Sequence, residues 1–195
     1  RWNQLHKRVA LSFVHNGIQV VQSMVDPCIY IWRDKPAGAI LIIGTHVDDG
    51  LYAHNSMPVL DAFMAHLKKS GFTLTDFQLA KCFLGVGIIQ KDGCCVELNQ
   101  HRQVVNILKQ EQDVFPQEMP FKEKLRPRTL QEGEATEQEK SHYLSLLGKC
   151  IYLLFTYPEL GWIISFLAKF SRNPSAIAIS TLRSRVIGYL KGTLT

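Results

Sequence analysis

Apolar and polar residues alternate along the first part of the chain in a way that predicts one helix and three short strands. Residues 2–15 carry apolar side chains at helical spacing, and Asn16-Gly17 supplies a stop signal. Apolar runs at residues 28–32 and 39–43 predict two strands joined by a turn rich in breaking residues. A third run at residues 51–53 predicts that the chain turns tightly and returns beside the second strand.

A second helix, a hairpin and a third helix are predicted next. The second helix has a regular apolar stripe and ends at Gly71. Residues 83–90 and 94–98 alternate apolar and polar side chains across Asp92-Gly93, which is a strong hairpin signal. Residues 101–112 follow as a helix with three inward-facing side chains, Val104, Val105 and Leu108.

The composition changes between Pro116 and Gly133, where the chain becomes polar and charged and carries three prolines. This change is typical of a loop or linker. Thr136 and Glu139 then have the spacing of a capping box, and a helical region with breaks is predicted from there to Leu190. We therefore predict three parts: residues 1–115, a linker at residues 116–135, and a helical region at residues 136–195.

Residues 151–168 form a very apolar stretch in which Glu159 is the only charged residue. Its length approaches the ~20 apolar residues that a bilayer-spanning helix needs. An acid near the middle is costly in a bilayer, and Pro158 disfavours helical backbone at the residue before it. We therefore predict a buried helical hairpin, broken at Tyr157-Pro158, and no membrane association.

Charge is distributed unevenly along the chain. The 195 residues are 46% hydrophobic, which is enough for one good core or two small ones, and the net charge is +5. Residues 101–195 carry thirteen Lys or Arg against nine acids, and no acid follows Glu159. Five cations beyond it favour a phosphate backbone or, equally, helix ends where the dipole attracts them: Lys169, Arg172, Arg183, Arg185 and Lys191.

The five cysteines are odd in number and show no Cys-x-x-Cys spacing. Neither a disulfide framework nor a structural zinc site is indicated, so we expect reduced thiols. The first residues show no signal-peptide pattern. These features favour an intracellular location, in the cytoplasm or the nucleus.

Two adjacent carboxylates, Asp48 and Asp49, occupy the predicted turn between the second and third strands. Adjacent carboxylates repel each other unless a cation or solvent neutralises them, and oxygen ligands of this kind suit Mg2+. Asp and Gly are also common turn residues, so a solvated turn without a ligand is the alternative. The sequence contains no His-Glu-x-x-His motif and no glycine-rich phosphate loop that would indicate a competing chemistry.

Several short motifs occur along the chain in an order that resembles one family. The motifs are Gln22-Ser23-Met24-Val25-Asp26-Pro27-Cys28-Ile29-Tyr30, Val47-Asp48-Asp49, Phe83-Leu84-Gly85, Leu98-Asn99-Gln100, Tyr152-Leu153, Thr156-Tyr157-Pro158 and Tyr189-Leu190-Lys191-Gly192. Each is weak alone. As an ordered set they resemble the reverse transcriptase of copia-type LTR retrotransposons, from one end of the chain to the other.

The resemblance implies an α+β fold, with an antiparallel polymerase-palm sheet and packed helices followed by a mainly helical thumb and connection region. It implies an RNA-directed DNA polymerase that transfers nucleotides with two metal ions. The expected partners are an RNA template and a DNA primer, together with upstream fingers and palm segments and a downstream RNase H segment of the same polyprotein.

By the same resemblance, Asp48 and Asp49 are the catalytic residues and hold Mg2+. His46 lies beside the primer end, although a partly exposed strand position without a ligand role is the alternative for this residue. The five cations of the second half contact the nucleic-acid backbone. The primer end is supported by three residues, Phe83, Leu84 and Gly85.

The chain also departs from the family pattern. His46 stands where the family usually has Tyr, Gly50 where it has Leu or Ile, and Cys82 where it has Tyr. The family's third aspartate comes from a strand upstream of this chain's first residue, and we assign that role to neither Asp26 nor Asp34. We therefore expect no polymerase activity from this chain alone, and the alternative is a non-catalytic nucleic-acid-binding remnant.

Overall fold

The computed structural model describes residues 2–74, 78–92, 95–121 and 135–194. It divides into two compact units, residues 1–80 and residues 81–195, each with a hydrophobic core of its own. Most of the predicted linker lies outside the described residues. The predicted division at residues 116 and 135 therefore stays a prediction.

The first unit consists of a four-stranded antiparallel sheet, a small hairpin and two helices. In chain order its elements are α1 Trp2–Ser12, β1 Val14–His15, β2 Ile18–Gln19, β3 Val21–Gln22, β4 Ile29–Asp34, β5 Ala39–His46, β6 Asp49–His54 and α2 Met57–Lys69. Strands β1 and β2 pair with each other, and the larger sheet has the order β3-β4-β5-β6. Among the described strands, β6 therefore lies at an edge of this sheet.

One face of the four-stranded sheet forms the core of this unit. Cross-strand partners Trp32 and Leu41 are both buried there, and they belong to one cluster with Phe13 near the end of α1 and with Phe63 of α2. Side chains alternate between the two faces of a strand, so the residues between these positions point to the opposite face. Ile42 lies on that opposite face and is exposed.

The first helix ends earlier than predicted, at Ser12 instead of near residue 15. Asn16 and Gly17 both have positive φ angles, 51° and 74°, and they form the two-residue turn between β1 and β2. This is the geometry of a type I′ hairpin turn, in which Asn-Gly is strongly favoured. The Asn-Gly signal was therefore a hairpin signal, and its interpretation as a helix stop was wrong.

The second unit combines a three-stranded antiparallel sheet with a helical part. Its elements are β7 Cys82–Phe83, β8 Val86–Lys91, β9 Cys95–Asn99, α3 His101–Gln110, α4 Glu137–Leu153, a 3-10 turn Pro158–Leu160, α5 Gly161–Ala168, α6 Ala176–Thr181, a π-helical segment Leu182–Ile187 and α7 Gly188–Thr193. The sheet order is β7-β8-β9. The two units together give a mixed chain with antiparallel sheets and helices, in agreement with the predicted α+β class.

Two predicted features of the helical part are confirmed. The capping box exists: the Glu139 backbone N–H donates to Thr136 Oγ1 at 3.2 Å, and the Thr136 N–H donates to Glu139 Oε2 at 2.9 Å. The apolar stretch is divided, because α4 ends at Leu153 and α5 begins only at Gly161. In the part of the chain that the structure describes, no helix has the length and apolar character needed to cross a membrane.

Two details of the predicted hairpin and helix are corrected. Residues 83–90 do not form one strand, because Leu84 and Gly85 turn the chain between β7 and β8. In α3, Val104 is buried as predicted, but Ile107 is the second fully buried residue and Val105 is not. The predicted turn residue Gly93 lies outside the described residues.

Candidate functional site

The paired aspartates lie at the tip of the β5–β6 hairpin in the first unit. His46 and Asp49 are the last cross-strand pair, so only Val47 and Asp48 form the turn. Directly paired residues present their side chains on the same face of a sheet, which places His46 and Asp49 side by side. The side chains of His46, Asp48 and Asp49 are all exposed. The predicted catalytic pair thus lies at the tip of the hairpin, with Asp48 in the two-residue turn and Asp49 at the start of β6, and both side chains face solvent.

The backbone of this turn is strained. Val47 has a φ of 50°, in the left-handed region. A β-branched residue is a genuine outlier there, because its Cβ substituents crowd the neighbouring backbone. Such a conformation costs about 1–3 kcal/mol and persists only when the surrounding structure imposes it. Here the continuous β5–β6 pairing down to His46 imposes it.

Tyr52, within β6, lies over Gly50 near the tip of the hairpin, and no motif in the sequence indicates this contact. A Cβ atom added to Gly50 would lie 2.5 Å from the Tyr52 hydroxyl oxygen. The absence of a side chain at residue 50 therefore leaves the space that the Tyr52 ring occupies. The ring also packs against Phe63, with centroids 6.0 Å apart, and burial raises the pKa of Tyr52.

The aspartates fit part of the requirement for a divalent cation. Mg2+ accepts carboxylate oxygens and retains several water ligands, so two exposed carboxylates on one turn suit it chemically. Within the described ranges, however, no group of three or more His, Cys, Asp or Glu side chains could hold a metal ion. Asp48 and Asp49 thus supply a partial ligand set.

Two of the predicted primer-support residues, Leu84 and Gly85, form a second two-residue turn, in the second unit, and the third, Phe83, ends β7 just before it. Phe83 pairs with Val86, and the turn residues Leu84 and Gly85 have φ angles of 51° and 79°. Both values are positive, as in a type I′ turn, although leucine is unusual in that position. The Tyr152 hydroxyl, from α4, donates a hydrogen bond to the Leu84 carbonyl oxygen.

Three of the five predicted backbone-binding cations hold the second unit together. Arg183 Nε lies 2.7 Å from Glu111 Oε2, and the Glu111 side chain is only 2% exposed. Arg185 Nη1 donates to Gln117 Oε1 at 3.0 Å. The Lys191 ammonium donates to the Gln112 carbonyl oxygen at 3.1 Å. Their contacts join the π-helical segment and α7 to residues 111–117.

The other two cations are placed differently. Lys169 Nζ lies 5.9 Å from the centroid of the Phe166 ring, at cation–π distance. Arg172 is exposed, and its side chain has no hydrogen bond or ion pair with the residues that the structure describes. These two side chains are therefore the members of the predicted set that stay available for a phosphate contact.

Comparison with curated proteins finds a similarity to the Retrovirus-related Pol polyprotein from transposon RE1 of Arabidopsis thaliana, with 21% identity over 176 residues. The similar region covers 90% of this chain and 12% of the polyprotein, so the chain spans about an eighth of that relative. No family model matches the chain, and no solved structure matches it. The similarity supports an origin in a retrotransposon Pol polyprotein.

Proposed function

We propose that this chain is the palm and thumb part of a copia-type reverse transcriptase, an RNA-directed DNA polymerase when it is joined to the rest of its polyprotein. The similarity to a retrotransposon Pol polyprotein over most of the chain supports this origin. The ordered motifs of the sequence support the finer assignment to the reverse transcriptase part.

The observation that carries the proposal is the location of the strained backbone residues. Among the described residues, three non-glycine residues have a positive φ: Asn16, Val47 and Leu84. Asn16 belongs to an ordinary Asn-Gly turn, where such an angle costs little. Val47 and Leu84 have side chains that tolerate it poorly, and strain of this kind clusters at functional sites. Both lie in the two turns that the resemblance assigns to the catalytic centre and the primer end.

In this proposal Asp48 and Asp49 hold Mg2+. The ions, when bound, supply charge stabilisation for the attacking hydroxyl and the leaving pyrophosphate. His46, beside Asp49 on the open face of the hairpin, lies next to the primer terminus. The Leu84-Gly85 turn supports that terminus, and Lys169 and Arg172 contact backbone phosphates.

A further palm segment completes the site in our proposal. Strand β6 carries Asp49 at its start and is an edge of the sheet, so its outer backbone groups can pair with another strand. An additional strand from the upstream polyprotein would bring a third carboxylate next to the tip. Without it, two carboxylates hold the metal ions incompletely, and we expect this chain alone to be inactive.

Metal binding at the turn can be tested with Mn2+, which broadens the NMR signals of nearby amides. We expect Mn2+ to broaden residues 46–50 selectively and excess Mg2+ to reverse the effect. The Asp48→Asn/Asp49→Asn double variant should lose this broadening. Asp61→Asn, an exposed acid on α2 of the same unit, serves as the control and should retain it. Broadening that persists in the double variant would refute the metal role of the turn.

Catalysis is tested by primer extension on an RNA template with Mg2+. We expect no extension by this chain alone. Extension by the wild type that disappears in Asp48→Asn would support the reverse transcriptase assignment. It would also show that our expectation of an inactive chain is wrong. Extension that survives in Asp48→Asn would come from a contaminating polymerase, because the substitution removes the principal proposed ligand.

A non-catalytic nucleic-acid-binding remnant is the second candidate function. The partial ligand set at the hairpin tip favours it, since within the described ranges no group of three or more His, Cys, Asp or Glu side chains could hold a metal ion. Binding of an RNA–DNA duplex that weakens steeply with salt and is unchanged by Asp48→Asn would select this function.

A further inference from the structure

We propose that Tyr152 is a positioning residue that holds the Leu84-Gly85 turn in shape, and that Gln100 fixes Tyr152. The inference deepens the proposed function and rests on it, since the turn is the proposed primer support. It gives a role to Tyr152 and Gln100, which are not among the predicted site residues.

The Leu84-Gly85 turn needs an external support. Leu84 has a φ of 51°, which its side chain disfavours, so an isolated turn would relax to other conformations. The Tyr152 hydroxyl donates to the Leu84 carbonyl oxygen and thereby orients the peptide between Leu84 and Gly85. A Cβ atom added to Gly85 would lie 3.5 Å from the same hydroxyl oxygen, which shows how closely the tyrosine approaches.

Gln100 fixes the helix turn that carries Tyr152. The Gln100 side chain is buried, and its Nε2 donates to the Tyr152 carbonyl oxygen at 3.0 Å. That carbonyl belongs to the last turn of α4, where carbonyl groups have no partner within the helix. The Thr156 hydroxyl donates to Gln100 Oε1 at 2.8 Å, so both the nitrogen and the oxygen of the Gln100 side-chain amide are hydrogen-bonded.

The network joins four of the motifs, which come from three separate regions of the sequence. Leu84-Gly85, Gln100, Tyr152 and Thr156 belong to separate signature blocks, and in the structure they form one chain of hydrogen bonds. The separations are 68 residues between Leu84 and Tyr152 and 56 residues between Gln100 and Thr156. A shared task at the turn accounts for their occurrence together.

Tyr152→Phe tests the inference because it removes only the hydroxyl group. The first readout is amide hydrogen exchange at residues 84–86, which we expect to accelerate about five- to tenfold, as for the loss of one hydrogen bond. Gln100→Met, which keeps the length of the side chain, should act in the same direction. Tyr189→Phe is the control, since its hydroxyl bonds Glu159 at 2.9 Å in the same unit and should leave the turn unchanged.

The second readout is the affinity for an RNA–DNA duplex with a recessed primer end relative to a blunt duplex. We expect the wild type to prefer the recessed end and Tyr152→Phe to lose most of that preference, whereas a merely structural tyrosine would leave it unchanged. Unchanged exchange at the turn, or an unchanged preference, would overturn the positioning role alone. A wild type that shows no preference for the primer end would overturn it together with the proposed function.

Discussion

At the scale of single residues, Val47 combines an unfavourable backbone with a place in the turn that we propose binds metal ions. Its φ of 50° belongs to the first residue of a two-residue hairpin turn, a place that usually holds glycine. The turn places the two aspartates next to each other at the end of paired strands. We interpret the strain as the cost of presenting both carboxylates at the tip of one tight hairpin, with Asp48 in the turn and Asp49 at the start of β6.

Val47→Gly should therefore stabilise the chain. Glycine adopts positive φ freely, so the relief of strain should exceed the added entropy of the unfolded chain, and we expect a gain of about 1 kcal/mol. The measurement is the free energy of unfolding from urea titration. Val25→Gly is the matched control, because Val25 is exposed and does not have a positive φ. A loss of stability in both variants would contradict the strain at Val47.

Tyr143 gives the fold a dependence on alkaline pH. Its buried hydroxyl donates to the Leu167 carbonyl oxygen at 2.7 Å, and burial raises its pKa to about 12. In the unfolded chain the pKa is close to 10, so the unfolded state loses this proton first as the pH rises. The stabilisation is therefore complete below pH 10 and is lost progressively between pH 10 and 12.

Tyr143→Phe should weaken this alkaline dependence. At pH 8 the variant loses one buried hydrogen bond, and we expect it to be about 1 kcal/mol less stable than the wild type. At pH 11 the difference should shrink, because phenylalanine has no proton to lose. Part of the dependence should remain, since burial also raises the pKa of Cys150 to about 12. A difference that grows with pH would refute the linkage.

At the scale of elements, the second unit depends on residues 111–117, which follow α3 and extend into the start of the predicted linker. The Glu111 carboxylate lies just beyond α3 and has two partners. Its Oε2 accepts a hydrogen bond from Arg183 Nε of the π-helical segment, and its Oε1 lies 2.7 Å from His142 Nε2 of α4. A buried carboxylate needs such partners, because an unpaired buried charge is costly. Further along, the Gln117 backbone N–H donates to the Gly188 carbonyl oxygen at 2.9 Å. Hydrogen bonds thus hold residues 111–117 against the π-helical segment and α7.

Gly192→Ala should disturb this packing. A Cβ atom at residue 192 would lie 2.4 Å from the Gln117 carbonyl oxygen, a backbone atom that cannot move without its segment. Overpacking of this kind costs about 1–3 kcal/mol. Gly148→Ala is the matched control, because no atom lies within 4 Å of the added Cβ and alanine favours the α4 helix by about 0.5–1 kcal/mol. Thermal unfolding should show shifts of opposite sign, and equal shifts would refute the contact.

Elements with a long periodic pattern could be predicted from the sequence, and very short ones could not. Helix α2, at Met57–Lys69, has five buried residues at helical spacing, and α4 begins at its predicted capping box. Strands β1, β2, β3 and β7 have two residues each, too few for any periodicity. The Asn16-Gly17 pattern is typical both of a helix stop and of a hairpin turn. Only the pairing of β1 with β2 decides between the two.

At the scale of the whole molecule, the sequence could predict a basic second half but not which cations are free. Arg183 and its partner Glu111 are 72 residues apart, and no local pattern connects them. The same limit applies to the site: Asp48-Asp49 is visible as a motif, whereas the approach of Tyr52 to Gly50 and of Tyr152 to Leu84 depends on side-chain packing. Local patterns therefore locate the aspartate turn, whereas the Leu84-Gly85 turn falls within a predicted strand and is seen only in the structure. Tertiary contacts determine what holds both turns.

The salt dependence of nucleic-acid binding tests this division of the cations. Each phosphate contact contributes about 0.9 to the slope of log affinity against log salt concentration on a duplex. If only Lys169 and Arg172 of the set contact phosphates, the Lys169→Ala/Arg172→Ala variant should lose about 2 from the slope. Arg185→Ala/Lys191→Ala removes the same charge, but these side chains bind Gln117 and Gln112 within the fold. This control should keep its slope and unfold at lower urea concentration, whereas equal losses of slope would mean that all four cations reach the nucleic acid.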